Sequence, residues 1–239
     1  MAAIFKRELH AYFVSPVGYI FIVVFLIASG GLFTFTAIQA NESADISSYF
    51  TFVIFTFIVL IPLLTMRSLS EERKSKTEQM LLTAPVSLTG MIFAKFLAAF
   101  VLFAGTLLVS CINFVVLYKY AANPGETNTA VLIGNVISIL LIGSSFISIG
   151  LFISAMTENQ LTAAILSIGA ILFLLLSSYL FKDFSNAAVR AVFDFLSIFS
   201  RFYNFTYGIF DINSIIYYVS IVIIFLFLTI RIYEIRRWQ

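Results

Sequence analysis

The chain has 239 residues, of which 61% are hydrophobic and only 11% charged, with mean hydropathy +1.05. A soluble domain carries about 25% charged residues, so this composition excludes a water-soluble enzyme and places the chain in a membrane. The 14 Lys and Arg against 12 Asp and Glu leave a net charge of +2, too small and too dispersed for nucleic-acid binding, and the lone Cys111 excludes an intrachain disulfide or a cysteine metal cluster.

In chain order, the first stretch is AAIFKRELHAYFVSP. Its Ile4, Phe5, Leu9, Tyr12 and Phe13 recur at helical spacing, with Lys6, Arg7, Glu8 and His10 largely on the other face. This pattern predicts a helix over 1–15 lying in the membrane interface, ended by Ser15–Pro16. Apolar runs follow at roughly Val17–Ile38, Phe50–Met66, Met91–Tyr118, Val131–Met156, Leu161–Phe181 and Ile212–Ile232. Each is near or above the length that crosses about 30 Å of hydrocarbon at 1.5 Å per residue, so the reading is six transmembrane helices. The first run exceeds the ~7–15 residues of a signal-peptide core. The second is the weakest, being short and holding Pro62 near its end.

Six spans put both termini on one side. Lys6, Arg7, Arg67, Arg73, Lys74, Lys76, Lys95, Arg231, Arg236 and Arg237 fall on that side, against Lys119, Lys182, Arg190 and Arg201 opposite. The positive-inside rule therefore predicts cytoplasmic termini in a multi-pass cytoplasmic-membrane protein. Tyr233 and Trp238 at one end, and Tyr118 and Tyr120 at the other, suit interfacial aromatic positions.

The segment 67–88, RSLSEERKSKTEQMLLTAPVSL, is the densest polar stretch in the chain. Its helix formers, mixed charge and Ala84–Pro85 stop predict a short surface helix, with Glu72 and Lys76 paired at i,i+4 and Met80, Leu81 and Leu82 as an apolar docking end. Ser87 offers an N-cap for the next span. The tight turn Met156–Gln160 predicts a hairpin between the fourth and fifth spans, with Thr157 and Gln160 at capping-box spacing and Glu158 facing the same side as the charged loop. In the segment 182–213, Arg190 and Asp194 are at i,i+4, and Phe193, Leu196, Phe199 and Phe202 can share a face. This segment reads as amphipathic or re-entrant outer helices, serving either as an outer gate and partner-docking surface (Arg190, Asp194, Phe199, Arg201) or as a lid that packs the bundle.

The order of interfacial helix, two spans, an EER…T…LLTAPVS loop and four more spans resembles the permease subunits of ABC-2 type (type V exporter-like) transporters. Within them it is most similar to the gliding-motility-associated group, whose members begin in the manner of FKRELHAYFVSPVGYI. The resemblance covers the whole chain as a single transmembrane domain, 1–239. It implies that the 67–88 loop is a coupling helix seated on an ATP-binding subunit, with Glu71, Glu72, Arg73, Thr77, Leu81, Leu82 and Pro85 at the matching positions. Lys76 stands where Gly is common in the family, and Glu78 where an apolar residue is common. The resemblance further implies an ABC ATPase subunit that carries the ATP and Mg, and a second permease subunit, identical or homologous. Glu158 is a candidate second contact with the ATPase. No G-x-x-x-x-G-K-[ST] phosphate loop occurs in the chain, so the expectation is no cofactor and no ATPase activity on this polypeptide.

Ionisable residues are scarce inside the predicted spans, which speaks against intramembrane catalysis and ion coupling. His10 has no Glu-x-x-His partner, and Ser144–Ser145 and Ser177–Ser178 have no histidine base. Thr106, Ser110, Asn113, Asn135, Ser138 and Ser148, with Gly134, Gly143 and Gly150 on the fourth span, read first as helix-packing residues and second as substrate contacts. Two functions stay open. One is an exporter subunit coupling ATP hydrolysis to export of a substrate; the other is a mechanical relay from the ATPase to an extracytoplasmic auxiliary protein, with nothing crossing. Lipid surrounds the chain in either case, and no nucleic acid is expected.

Overall fold

The computed structural model describes residues 2–35, 46–77, 87–115, 129–181, 187–206, 208 and 211–237, all helices and turns. The helices are α1 (Ala2–Val14), α2 (Pro16–Phe33), α3 (Ile46–Lys74), α4 (Leu88–Ser110), α5 (Thr129–Met156), α6 (Gln160–Leu180), α7 (Ala187–Leu196), α8 (Ile198–Thr206) and α9 (Ile212–Arg237). Six of them, α2 through α6 and α9, are long and apolar enough to cross a membrane.

Helix α5 is the hub, packed against α3, α4, α6, α8 and α9. Two glycines explain how neighbours approach it so closely. A Cβ at Gly143 would lie 2.2 Å from the Phe103 ring on α4, and one at Gly150 would lie 2.2 Å from Thr65 Oγ1 on α3. Only a hydrogen fits at either place, as small residues at membrane helix crossings commonly allow. The in-span hydroxyls of Thr106, Ser110 and Ser148 donate to carbonyls of their own helices, and Asn135 Nδ2 donates to Val131 O. That leaves aromatic and aliphatic side chains to fill the core. Phe57 on α3 stacks on Phe25 of α2 and meets Phe103 edge-on, and Phe33, Tyr49, Phe50 and Phe114 form a cluster at the end away from the termini.

Several elements differ from the sequence reading. Helix α3 does not stop near Met66: it runs through Pro62 to Lys74, because buried packing on both sides of the proline outweighs the one backbone bond it removes. Arg67–Lys74 is therefore the last part of a span rather than a separate surface helix, and residues 75–77 form a turn. Glu72 and Lys76 do not pair, since Lys76 sits in the left-handed region at φ 58°, beyond the helix end. Glu78, Met80, Leu81, Leu82 and Pro85 lie outside the described residues, as do Tyr118, Tyr120, Lys182 and Trp238.

Ser87 holds the N-cap position of α4, but its side chain makes no cap bond. The capping box at Thr157 is replaced: Asn159 Oδ1 accepts from Leu161 N, while Thr157 Oγ1 donates back to Ile153 O. Tyr233 is buried rather than interfacial, with Arg236 over its ring. Ser15 does end α1, Pro16 starts α2, and Gly18 permits the tight turn, since a Cβ there would fall 2.3 Å from Tyr12 O.

Candidate functional site

One end of the bundle carries both termini, the C-terminal ends of α3, α5 and α9, and the N-terminal ends of α4 and α6. Most of the ion pairs among the described residues are gathered there. At their centre is Lys95 on α4, whose side chain is 1% exposed. Its ammonium has three donors, and three acceptors surround it: Glu72 Oε1 at 2.8 Å, Ser68 O at 2.9 Å and Glu8 Oε2 at 3.2 Å. Arg7 completes the group, donating to Glu8 Oε1 at 2.6 Å and lying 3.5 Å from Glu72 Oε1. Two cations face two carboxylates, so the group is neutral as a whole. It joins α1, α3 and α4.

The local folding that builds this group follows from helical spacing. On α1, Ile4, Glu8 and Tyr12 repeat every four residues and face the bundle, whereas Phe13 is 44% exposed. Glu8 therefore belongs to the inner face, not to the polar face with Lys6 and His10. Tyr12, whose phenol is pushed up by burial and stays a neutral donor, reaches Leu64 O at 3.4 Å. A cavity of about 640 Å³ opens beside the group, bordered by Arg7, Tyr12, Arg67, Glu71 and Thr77.

A second set of contacts lies across the same end. Arg73 Nη2 is 2.9 Å from Glu158 Oε1, and Arg73 Nη1 donates to Met156 O at 2.9 Å. Arg236 donates to Ala155 O at 2.7 Å. Ser154 Oγ donates to Met66 O at 3.1 Å and accepts from Ser70 N at 3.1 Å. The end of α3 is thus tied directly to the α5–α6 turn, and that turn to α9.

The residues expected at a coupling surface separate into two kinds. Glu71 and Thr77 are accessible; Glu71 forms a two-point pair with Arg67 four residues earlier, at 2.7 and 2.9 Å. Glu72, with a side chain only 17% exposed, is turned inward to Lys95 and Arg7, and Arg73 is turned to Glu158. Sequence spacing places Lys95 only among the charges on the termini side and does not predict the inward group. Its signal was nevertheless present: a lone cation between Ala94 and Phe96, inside an apolar helix, demands buried partners.

At the opposite end the expected set is divided too. Asp194 accepts from Ser178 Oγ at 2.6 Å. A break at Ser197 splits the apolar face, so that Phe199 and Phe202 enter the core while Leu196 stays exposed. Arg201 lies over the rings of Tyr217, 4.2 Å from its centroid, and Phe195, at 4.9 Å. The i,i+4 partner expected for Asp194, the side chain of Arg190, lies outside the described residues.

The family of ABC-2 transporter proteins (ABC-2 family transporter protein) matches residues 34–233. The chain belongs to this family. It is accordingly a transmembrane permease subunit of an ABC transporter, the partner of an ABC ATPase subunit, and its all-helical bundle with six spans is the permease domain. The match begins within the stretch after α2, so α1 and its part of the Lys95 group stand N-terminal to the matched region of this ABC-2 permease. No curated protein matches the chain.

Proposed function

We propose that this ABC-2 permease subunit is driven by its ATPase from the end that carries both termini, that this end faces the cytoplasm, and that the ATP-driven motion opens an export path. The observation that carries the reading is the Arg73–Glu158 bridge at 2.9 Å. Arg73 belongs to the helix that leads into the charged loop, and Glu158 to the turn joining the central helix α5 to α6. A displacement of the end of α3 is therefore passed by Arg73 directly to the end of the hub helix α5. The docking residues are the half-exposed Glu71 and the exposed Lys74, Lys76 and Thr77, joined in the sequence by Leu81, Leu82 and Pro85. Glu72 acts behind them by holding α1 and α4. ATP hydrolysis resides on the separate subunit, and a second permease copy or homologue completes the pathway. The opening segment FKRELHAYFVSPVGYI supports placing the chain in the gliding-motility-associated group.

The test is ATP-dependent flux in proteoliposomes holding the copurified complex. Arg73→Glu is expected to abolish most of it, and the swap Arg73→Glu with Glu158→Arg to restore it. Unchanged flux in the single variant would refute the assignment.

A mechanical relay is the second reading, favoured by the way the outer helices hang on α9. Tyr217 Oη donates to Leu196 O at 2.6 Å and Tyr218 Oη to Ile198 O at 2.9 Å, while the far end of α9 holds Ala155 O through Arg236. ATPase activity that responds to an outer partner, with no flux, would select this reading over export.

A further inference from the structure

At the end of the bundle away from the termini, α6, α7, α8 and α9 enclose a cavity of about 790 Å³. Its walls divide by chemistry. Near the mouth are Arg201 and Asn213; below them run Ile216, Ser220, Ile221, Ile224 and Phe225 along α9. From Tyr217 to Phe225 a helix rises about 12 Å, against a hydrocarbon core about 30 Å thick. Ile216 and Ile224 are 58% and 54% exposed, so the trough opens sideways toward lipid rather than toward the core.

Arg201 is the unusual member. Its guanidinium lies over two aromatic rings, its Nε is buried without a hydrogen bond, and among the described residues no carboxylate is within ion-pair distance of it. The two acids nearest it in the chain are engaged elsewhere: Asp194 accepts from Ser178, and Asp211 caps α9 through Asn213 N and Ser214 Oγ. Two other polar wall groups are satisfied within the protein, Tyr217 Oη by Leu196 O and Ser220 Oγ by Ile216 O, while the amide of Asn213 stands at the exposed mouth beside Arg201. Arg201 is half-buried, with its Nε buried and unbonded between aromatic rings; a cation so placed calls for an anion that can accept from its planar fork of donors, and a phosphodiester does so bidentately. The cation sits at the top of an apolar trough, so the anion that fits carries an acyl chain.

We infer that the Arg201 cavity is a binding site for one anionic phospholipid, its phosphodiester on the Arg201 guanidinium and one acyl chain along Ile216, Ile221, Ile224 and Phe225. This site is separate from the charged group at the termini end and does not depend on which way the transporter moves cargo. A lipid there would wedge between α9 and the short helices α7 and α8, and so fix the angle at which they meet.

The test is native mass spectrometry of the full-length permease, purified in mild detergent and titrated with phosphatidylglycerol or phosphatidylcholine. Wild type is expected to retain one phosphatidylglycerol in preference to phosphatidylcholine. Arg201→Gln should weaken phosphatidylglycerol retention by about tenfold or more, as loss of a charge-assisted hydrogen-bond pair predicts, and Arg201→Lys should keep part of the preference. Ile224→Trp fills the trough, leaves the cation in place and should also reduce retention; it decides the matter if Arg201→Gln fails to fold. Equal retention of the two lipids by wild type, or an undiminished phosphatidylglycerol preference in Arg201→Gln or Ile224→Trp, would overturn the site. So would photocrosslinking at Ile224 that yields a second permease copy and no lipid.

Discussion

The Lys95 ammonium on α4 lies 2.8 Å from the Glu72 carboxylate on α3 and 3.2 Å from Glu8 on α1, in surroundings that leave the lysine 1% exposed. This pairing changes the meaning of the charged segment. Part of its charge is spent holding the permease together, and only the remainder is free to meet an ATPase.

Removing one partner of a buried ion group leaves the others uncompensated, at a cost of about 3–5 kcal/mol. Lys95→Met is therefore expected to lower the melting temperature of the detergent-purified permease strongly. Adding Glu72→Gln to that variant should recover part of the loss, because one unpaired carboxylate is neutralised. Thermal unfolding of the single and double variants checks both statements.

The Arg73–Glu158 pair is a different case. Its side chains are 29% and 66% exposed, so its contribution to stability should be at most about 1 kcal/mol. Arg73→Glu should leave thermal unfolding nearly unchanged while uncoupling ATP hydrolysis from the permease, and the charge swap with Glu158→Arg should restore coupling. Parallel melting and ATPase assays separate the two effects.

Gly143→Ala forces a methyl into the Phe103 ring, and overpacking of this kind costs about 1–3 kcal/mol. The expected result is a destabilised permease, rescued by Phe103→Leu, which withdraws the ring from the contact. The four-way comparison in a thermal assay tests whether α4 and α5 approach as closely as the structure has them.

Gly18→Ala meets backbone rather than a movable side chain, since the added Cβ would lie 2.3 Å from Tyr12 O. The α1–α2 turn must open, pulling Glu8 from Lys95. Hydrogen exchange should rise across α1 in this variant and remain at wild-type values in α5.

The membrane spans were legible because composition and run length decide them, and five of the six predicted runs fall on single helices of similar extent. The second was underestimated because Pro62 reads locally as a stop, whereas packing carries α3 to Lys74. The break at Ser15–Pro16 and the small-residue contacts of Gly143 and Gly150 were legible, since each follows from local stereochemistry. The partners of Glu8, Glu72 and Lys95 were not, because they come from three helices far apart in sequence. An i,i+4 rule assigned Glu72 to Lys76, four residues away, when its partner is Lys95. The same limit hid Arg201 over Tyr217, a contact set by how α8 meets α9.

Engagement of the ATPase at the end of the bundle where α3 terminates underlies the proposed coupling. Site-specific photocrosslinking in the assembled membrane complex tests it most directly, with the probe at exposed Thr77 or, at the opposite end, at exposed Val192. A crosslink from position 77 to the ABC ATPase subunit is expected, and none from position 192. A crosslink to the ATPase from position 192, with position 77 silent, would contradict it.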